Sequence, residues 1–376
     1  MAKGFASLAC LVIVLCLVHS ACEATILHVP DEYGTIQEAL NAAGPGDTVL
    51  VEHGTYQENI IWPSTPGIKL FANEASPPDS TYLEPASIPA PTITMAPPLA
   101  PSPIDSTTVI RGFVLRNGYA IDGGAIYIEN ASPTIGEPIC WNRFESNMAD
   151  TSGGAIYCRL SSARIQFNEF QTNSAIWGGT IAGVDSSELR IYSNTITGGV
   201  GIQGGGIYLP EVGYIAENEI SDCNGDGAAL YIGGNVVVGG NYIHDSIDRA
   251  IHCDGSVRLV SNVITDHGNG AIDASGSSAT IEYNTFERNL APDGPAILCL
   301  GGNPTIRFNT FRSNGCPLGQ KQNYIPGVIH VEHGWAAIER NTFVDNTPIC
   351  AAISVCDIRG SVVGNYISNN STGFYT

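Results

Sequence analysis

The sequence predicts an all-β fold, a single parallel β-helix solenoid in which the chain coils into stacked turns behind one short capping helix. The first observation is Asn followed two residues later by Phe or Ile, a pattern that returns every 21 to 32 residues. Such a period is typical of a solenoid in which each repeat is one supersecondary unit. One Asn per coil at a strand corner lets the amides stack and hydrogen-bond from coil to coil. The predicted ladder consists of Asn142, Asn168, Asn194, Asn218, Asn241, Asn262, Asn284, Asn309, Asn341 and Asn365.

A second column of residues repeats with the same rhythm. It consists of small residues followed by Ile or Leu, as in Gly124-Ala125-Ile126 and Gly154-Ala155-Ile156, and it continues as far as Ala352-Ile353. Around both columns apolar and polar residues alternate, as in Thr305-Ile306-Arg307-Phe308. That alternation has the period of a strand and not of a helix. Two independent columns with one spacing therefore predict the solenoid.

With these repeats the chain resembles the right-handed parallel β-helix superfamily, which includes pectate-lyase-like and NosD-like proteins. Tetrapeptides of the types Gly-Gly-Ala-Ile and Phe-x-x-Asn, such as Gly123–Ile126 and Phe144–Asn147, also resemble the repeats of polymorphic outer-membrane adhesins. The resemblance covers residues 25–376 and implies a right-handed coil. It implies no single function, because that superfamily contains lyases, hydrolases, adhesins and inert scaffolds.

Residues 1–24 have the features of a secretory signal peptide. Lys3 gives the positive start, Leu8–Val18 the apolar core, and Cys22-Glu23-Ala24 a small-x-small cleavage site. The apolar run is too short for a membrane span. A lipoprotein signal through Cys22 is the alternative, but His19 stands where such a motif has Leu. We therefore expect a secreted, extracellular or outer-cell-surface protein, with the periplasm as a further location, and no membrane span after cleavage.

The charge of the chain limits its partners. The sequence has 36 acidic and 16 basic residues, a formal net charge of −20. An acidic chain repels phosphate backbones, which argues against nucleic acid as a partner. The same repulsion argues against anionic membrane surfaces.

Eight cysteines follow the predicted signal peptide. An even number in an exported chain permits disulfides, although sequence does not give the pairing. Cys158, Cys253 and Cys299 fall at inward strand positions, where we expect buried thiols. Cys316 and Cys350 each follow a Phe-x-x-Asn segment in neighbouring coils, and they are the pair that we expect to form a bridge.

The mature chain is predicted to be one domain from residue 25 to residue 376. A cap helix is predicted over residues 35–43, because Thr35-Ile36-Gln37-Glu38 is a capping box and Gly44-Pro45-Gly46 ends the segment. The stretch 77–108 is rich in proline and is predicted to be irregular, although Thr92-Ile93-Thr94-Met95 within it could add a strand to the second coil; regular coils are predicted over 109–376. No C-terminal cap follows, so we expect either a longer protein or a partner that covers this end.

The residue after each isoleucine of the second column should point outward on one sheet, with neighbours about 4.8 Å apart. This row consists of Tyr127, Tyr157, Ala182, Tyr208, Tyr231, His252, Asp273, Leu298, His330 and Ser354. We predict ligand binding by its four tyrosines and by Trp177, in the turn before Ile181, because sugar rings stack on aromatic faces. The alternative is that the tyrosines only pack against one another and stabilise the sheet.

The polar segment from Asp245 to Asp273 is the candidate catalytic region. Its candidate catalytic residues are His252, Asp273, Asp248, Asp254 and Arg249, and it also contains Asp245, Asp266 and His267. Paired carboxylates serve glycoside hydrolysis. Alternatively, carboxylates bind Ca²⁺ for a lyase, with Arg249 or His252 as the base. The alternative is a set of solvated acidic turns, since the motifs of pectate lyases and polygalacturonases are absent.

One short stretch resembles the start of a Ca²⁺ loop. Asp222, Asn224 and Asp226 have the spacing of its first ligands, but Gly233 occupies the position that needs a bidentate carboxylate. An Asp- and Gly-rich turn is the alternative. We expect no required cofactor, with Ca²⁺ as the one candidate.

Three functions remain open from the sequence. The first is an exported binding, adhesion or scaffold module that engages polysaccharide or a surface partner along the tyrosine row. The second is a polysaccharide lyase or glycoside hydrolase with its site near His252 and Asp273. The third is a passive stalk of a longer protein. The regular columns favour the first and third.

Overall fold

The computed structural model describes residues 24–73, 80–98, 101–317, 327–347 and 350–375. In these ranges the chain forms one parallel β-solenoid with a single α-helix. The predicted signal peptide, residues 1–24, lies outside the described residues except for Ala24. No helix within the described ranges is long and apolar enough to cross a membrane.

Each coil contributes three short strands, which stack in parallel on those of the next coil to form three long sheets. The first sheet contains Ile26–Val29, Thr48–Val51, Lys69–Ala72, Val109–Arg111, Thr134–Ile135, Arg164–Gln166, Glu188–Tyr192, Val212–Ala216, Asn235–Gly239, Arg258–Val260, Thr280–Glu282 and Thr305–Arg307. The second sheet contains Gly54–Gln57, Thr81–Glu84, Val114–Arg116, Arg143–Glu145, Glu169–Gln171, Thr195–Thr197, Glu219–Ser221, Tyr242–His244, Val263–Thr265, Thr285–Glu287, Thr310–Arg312, Thr342–Val344 and Tyr366–Ser368. The third sheet contains Ile60–Ile61, Ile93–Met95, Ile126–Glu129, Ile156–Arg159, Ile181–Val184, Ile207–Leu209, Leu230–Ile232, Ile251–Cys253, Ile272–Asp273, Ile297–Leu300 and Thr372–Tyr375.

Four further strands and two long ones complete the coils. Gly327–Glu339 and Ala351–Val363 each run from the third sheet into the first without a break. Between the second and third sheets lie two parallel ribbons, Tyr119–Asp122 with Met148–Ser152 and Val200–Gln203 with Asn224–Asp226. These ribbons border one edge of the third sheet.

Apolar side chains at alternate strand positions point into the coil and stack in rows. On the second sheet Phe144 stacks on Phe170, with ring centroids 4.7 Å apart. Phe286, Phe311 and Phe343 form a second run, at 4.9 and 4.7 Å. All five rings are fully buried. Because each coil covers the apolar face of the next, the core is continuous along the solenoid.

The predicted asparagines form a hydrogen-bonded ladder at the corner between the first and second sheets. Asn284 shows the pattern: its Oδ1 accepts from both the backbone N–H and the Nδ2 of Asn262, at 2.9 Å each. Its Nδ2 donates to the Leu259 carbonyl and to Asn309 Oδ1, at 3.0 Å each. The ladder thereby satisfies buried backbone groups that the strands leave unpaired at the corner.

A second ladder lies at the next corner, between the second and third sheets. It is built from the Phe-x-x-Asn tetrapeptides: Asn147 bonds to Asn173, and Asn289 bonds to Asn314. Between these two runs the equivalent positions are Gly199, Cys223, Ser246 and His267.

The N-terminal helix spans Ile36–Ala42 and packs Ile36, Ala39 and Leu40 against the first coils. Thr35 is the N-cap and accepts from the Glu38 backbone N–H. The carboxylate of Glu58, from the coil beneath, accepts from the N–H groups of Ile36 and Gln37 at 2.8 and 2.9 Å. Two amide groups without intrahelical partners are thus satisfied, which fixes the helix on the solenoid.

The described part of the proline-rich stretch contains two strands, one of them where the sequence allowed a strand at Thr92–Met95. It supplies Thr81–Glu84 to the second sheet and Ile93–Met95 to the third. Its described prolines lie outside these strands, in the connecting turns, where a missing N–H breaks no ladder bond. Regular stacking therefore begins well before residue 109.

The cysteines divide as the spacing predicts. Cys316 and Cys350 form a disulfide with their Cα atoms 5.8 Å apart. Cys158, Cys253 and Cys299 are buried free thiols. Burial raises the pKa of the Cys158 and Cys299 thiols to about 12, so they remain protonated and unreactive at neutral pH.

Candidate functional site

The outward row on the third sheet has unbroken register. Successive register partners along it are Tyr127, Tyr157, Ala182, Tyr208, Tyr231, His252, Asp273, Leu298, His330 and Ser354. The row is less exposed than expected, since Tyr157 is 8% exposed and His330 only 2%. Trp177 and Glu211, from turns on the two sides of the row, border a depression over its middle. We call the part of the row from Tyr127 to His252, together with these turns, the tyrosine groove.

The aromatic rings of the groove stack on one another along the row. Tyr127 and Tyr157 lie 5.2 Å apart, Tyr208 and Tyr231 5.4 Å, and Tyr231 and His252 4.4 Å between ring centroids. Their faces therefore pack largely against each other, as the stabilising alternative requires. A ligand ring can stack only where this run is interrupted.

The interruption lies at Ala182, between Tyr157 and Tyr208. A depression of about 430 Å³ opens there, and its aromatic lining comes from Tyr157, Trp177 and Tyr208. Trp177 is 40% exposed and comes from the turn on the ribbon side of the groove. Three of the five predicted ligand-binding aromatics thus border one depression, and Tyr127 and Tyr231 lie outside it.

Carboxylates surround this depression. Asp122 stands on the ribbon side, and Asp185 and Glu211 stand on the opposite side. The guanidinium of Arg159 is already held by Glu129 at 2.8 Å and by Asp185 at 2.6 Å. The depression is therefore acidic, and it disfavours polyanionic ligands.

The tyrosine hydroxyls of the groove are donors at neutral pH. Tyr127 donates to Glu129 at 2.8 Å and Tyr231 donates to Asp254 at 3.0 Å. Burial, with smaller effects from Asp122 and Asp185, raises the pKa of Tyr157 to about 12. Burial and nearby carboxylates, Asp254 first, also raise the pKa of Tyr208. Tyrosinate is thus not available as a base in this groove.

His252 and Asp273 are register partners, but the structure gives each side chain other neighbours. The Nδ1 atom of His252 lies 3.5 Å from Asp226 Oδ1, and its Nε2 lies 3.7 Å from Asp254 Oδ1. Asp273 Oδ1 accepts from the Ser275 backbone N–H at 2.9 Å. The strand ends at Asp273, whose side chain bonds to the following turn, and His252 therefore lies between Asp226 and Asp254.

Arg249 and Asp248 form hydrogen bonds with backbone groups of neighbouring coils. Arg249 Nη1 donates to the Ile272 carbonyl at 3.0 Å, and Nη2 reaches the Asp293 carbonyl at 3.4 Å. Asp248 Oδ2 accepts from the Gly225 N–H at 3.4 Å. Burial lowers the pKa of Arg249, an effect that nearby Asp273 opposes. Arg249 therefore fastens one turn to the next, which argues against its predicted role as a base.

His267 is a member of the second ladder and not of a polar cluster. It is 1% exposed, its Nδ1 accepts from the Ser246 N–H at 3.3 Å, and its Nε2 donates to the Ile243 carbonyl at 3.2 Å. These are the bonds that Asn289 makes one coil later through Oδ1 and Nδ2. Burial lowers the pKa of His267 to about 4, so the ring is neutral. The sequence carried a signal for this role, since His267 stands three residues after Ile264, where other coils have Asn.

The Ca²⁺-loop candidates are divided between a turn and a ribbon strand. Asn224 and Asp226 belong to a ribbon strand that pairs with Val200–Gln203, and Asp222 occupies a turn with φ of 54°. Among the residues that the structure describes, no group of three or more His, Cys, Asp or Glu side chains is arranged to hold a metal ion. Asp226 instead faces His252, a contact between coils that spacing alone did not reveal.

The comparison with protein families supports the fold. A family model described as the right handed beta helix region matches residues 186–334. Together with the parallel solenoid, this confirms the predicted fold class and the resemblance to right-handed parallel β-helix proteins. None of the curated proteins matches the chain.

Solved structures of similar shape are carbohydrate-active enzymes at low sequence identity. A PL6-family alginate lyase is 14% identical with a TM-score of 0.49, and the match covers 90% of this chain and 53% of that one. An alginate lyase from Paenibacillus sp. is 13% identical with a TM-score of 0.37, covering 94% and 98%. A GH87 α-1,3-glucanase from Streptomyces thermodiastaticus is 12% identical with a TM-score of 0.37, covering 91% and 67%. The chain thus spans about half the length of the first of these enzymes, and the likeness concerns the fold alone.

Proposed function

We propose that this protein is an exported glycan-binding module, and that the tyrosine groove holds one saccharide ring at the depression beside Ala182. The observation that carries the proposal is the interrupted aromatic stack. Tyr127 stacks on Tyr157 and Tyr208 stacks on Tyr231, whereas between these two pairs Tyr157, Trp177 and Tyr208 line an open depression. Aromatic faces beside open space are the usual platform for the apolar face of a sugar ring.

The charge around the depression selects the ligand. Asp122, Asp185 and Glu211 border it, and the neighbouring Arg159 is neutralised by two carboxylates. A neutral or cationic saccharide, such as an amino sugar, can therefore approach, while a uronic acid polymer is repelled. Carboxylates at the border also accept hydrogen bonds from sugar hydroxyls or ammonium groups. The proposed binding needs no cofactor.

The test compares ligands of equal length and different charge. Isothermal titration of the protein with chitosan hexamer, chitin hexamer and hexagalacturonate should show binding of one or both of the first two, and variants of the groove should leave any binding of hexagalacturonate unchanged. The double variant Trp177→Ala with Tyr208→Ala should weaken that binding at least about 30-fold, since interfacial aromatic anchors carry about 2 kcal/mol or more.

A matched control isolates the groove from general effects of losing aromatic residues. Trp335 and Tyr242 are exposed aromatics outside the groove, 58% and 42% exposed. The double variant Trp335→Ala with Tyr242→Ala should bind as the wild type does. Equal loss in both double variants, or no binding of any glycan on a broad array, would refute the assignment.

A catalytic role is the second candidate, favoured by the position of His252 between Asp226 and Asp254. A histidine flanked by carboxylates is suited to proton transfer. Release of reducing ends or unsaturated sugars from a neutral or cationic glycan, lost in Asp254→Asn, would establish it. Binding without turnover would leave the module as a binding protein or scaffold.

A further inference from the structure

We propose a second binding site on the first sheet, where Arg164 and Arg190 together hold the carboxylate or sulfate group of an acidic saccharide. The two arginines are register partners on adjacent strands, which places their backbones about 4.8 Å apart. Both side chains are exposed. The site faces away from the tyrosine groove and needs the opposite ligand charge, so it does not depend on the function proposed above.

The pairing of these arginines is unusual for this chain. The chain has more than twice as many acidic as basic residues, 36 against 16. Arg111 contacts Glu137 and Arg116 contacts Glu84 at 2.6 Å or less. Arg164 and Arg190 form no ion pair with any residue in the part of the chain that the structure describes. Arg312 and Arg359 form none there either, but their register partners, which include Val344 and Trp335, are not arginines. Like charges side by side on neighbouring strands destabilise a sheet unless something neutralises them.

Elsewhere on the same sheet a carboxylate forms ion pairs with two arginines. Glu282 accepts from Arg258 at 2.6 Å and from Arg307 at 2.9 Å. Burial alone would raise the pKa of Glu282, but the hydrogen bonds from these two arginines hold it below its ordinary value. Glu282 is the register partner of Val260, two residues after Arg258. The equivalent residue for Arg190 is Ala216, the register partner of Tyr192, and it provides no carboxylate.

The space beside Ala216 is bordered by aromatic and charged side chains that suit a sugar ring. A depression of about 290 Å³ is bordered by Arg164, Arg190, Tyr192, Tyr214, Ala216 and Glu217. Tyr214 is 47% exposed and is the register partner of Arg190. Tyr192 is held in place by an edge-on contact with Phe167, at 5.9 Å between centroids. An anionic group bridging the guanidinium groups would bring the attached ring onto these tyrosines.

The chemistry of the site favours a planar or tetrahedral oxyanion over a neutral sugar. Guanidinium groups form paired, charge-assisted hydrogen bonds with carboxylate and sulfate oxygens. The adjoining aromatic rings favour an anion carried by a saccharide over a free inorganic ion. Glu217 at the border contributes an acceptor for sugar hydroxyls.

The experiment uses three probes on the whole protein at low salt: hexagalacturonate, the same hexamer fully methyl-esterified, and inorganic sulfate. Titration should show binding of hexagalacturonate and at least about 10-fold weaker binding of the uncharged ester, since charge-assisted bonds are the strong ones. Sulfate that competes only at millimolar concentration would agree with an anion held together with its sugar ring. Sulfate that binds as tightly as hexagalacturonate would overturn the saccharide part of the proposal.

Two variants test the residues. Arg164→Gln with Arg190→Gln should weaken hexagalacturonate binding about 10- to 100-fold per arginine lost, without lowering the melting temperature, because it relieves a repulsion. Ala216→Glu introduces an internal carboxylate at the position equivalent to Glu282, and it should abolish binding while the melting temperature is kept or raised. Loss of folding in either variant leaves the other, and the ligand comparison, to decide.

The matched control removes two positive charges elsewhere. Arg312 and Arg359 are both exposed, and Arg312→Gln with Arg359→Gln should bind hexagalacturonate as the wild type does. Equal weakening in the control pair would show a general charge effect and overturn the site. Absence of hexagalacturonate binding by the wild type would do the same, whatever the outcome with chitosan in the tyrosine groove.

Discussion

Acid should weaken this solenoid at one buried histidine, and His267→Asn should remove that weakness. His267 is neutral in the folded protein, because protonating Nδ1 would abolish the acceptor of the Ser246 N–H inside the ladder. Its pKa is lowered to about 4, mainly by burial and slightly by His244, against the opposing effects of the Ile243 carbonyl and Asp245. The ordinary value in an unfolded chain is about 6.5.

The magnitude follows from the difference between the two pKa values. A histidine whose folded pKa is depressed stabilises the fold fully above about pH 6.5, and this contribution is lost as the pH falls toward the folded value. With about 1.4 kcal/mol for each pKa unit, the loss is about 2 kcal/mol between pH 7 and pH 5 and about 3 kcal/mol by pH 4. In His267→Asn the amide can make the bonds to Ser246 and Ile243 that Asn289 makes one coil later. Its stability at pH 7 should therefore stay within about 1 kcal/mol of wild type.

The assay is urea unfolding followed by circular dichroism at pH 7, 5 and 4, with wild type and variant compared at each pH. Taking the difference between the two proteins cancels the carboxylates, such as Asp266, whose own titration also weakens the fold in acid. His333→Asn is the control, because His333 is exposed. A variant that loses as much stability in acid as wild type would refute the neutral-ladder assignment of His267.

Three further outcomes are expected from the same structure. Asn284→Ala should lower the free energy of unfolding by about 2–6 kcal/mol. The reason is that the Asn262 N–H and the Leu259 carbonyl lose their hydrogen-bond partner, at about 1–3 kcal/mol each. An unchanged urea midpoint would contradict the ladder. Reduction of the Cys316–Cys350 disulfide, which spans 34 residues, should cost about 4 kcal/mol, as measured by melting with and without reductant, and a Cys316→Ser variant should then be insensitive to reductant. Glu282→Gln should destabilise the first sheet by about 1–3 kcal/mol, because Arg258 and Arg307 lose the carboxylate that both contact. Adding Arg258→Gln should recover part of this loss of stability. No recovery would show that the two arginines do not share the Glu282 carboxylate.

The solenoid could be predicted from the sequence alone, because every coil repeats the same local pattern. The spacing of the asparagines and of the isoleucines counts residues per coil, and a parallel stack then fixes which residues are neighbours. The row from Tyr127 to Ser354 has the predicted register for this reason. The Cys316–Cys350 bridge follows from the same count.

The direction of side chains and the depth of the groove were decided only by the tertiary structure. The spacing of the repeats places His252 beside Asp273. In the structure, however, the Asp273 carboxylate accepts from the Ser275 N–H, and Asp226 and Asp254 lie beside the imidazole of His252. The depression beside Ala182 also depends on Trp177 and Glu211, which enter from turns whose paths the repeat does not specify. Side chains in strands alternate with a period of two residues, so the columns of stacked residues could be predicted from the sequence. Turns of variable length have no such period, so the site that lies between the turns could not be predicted.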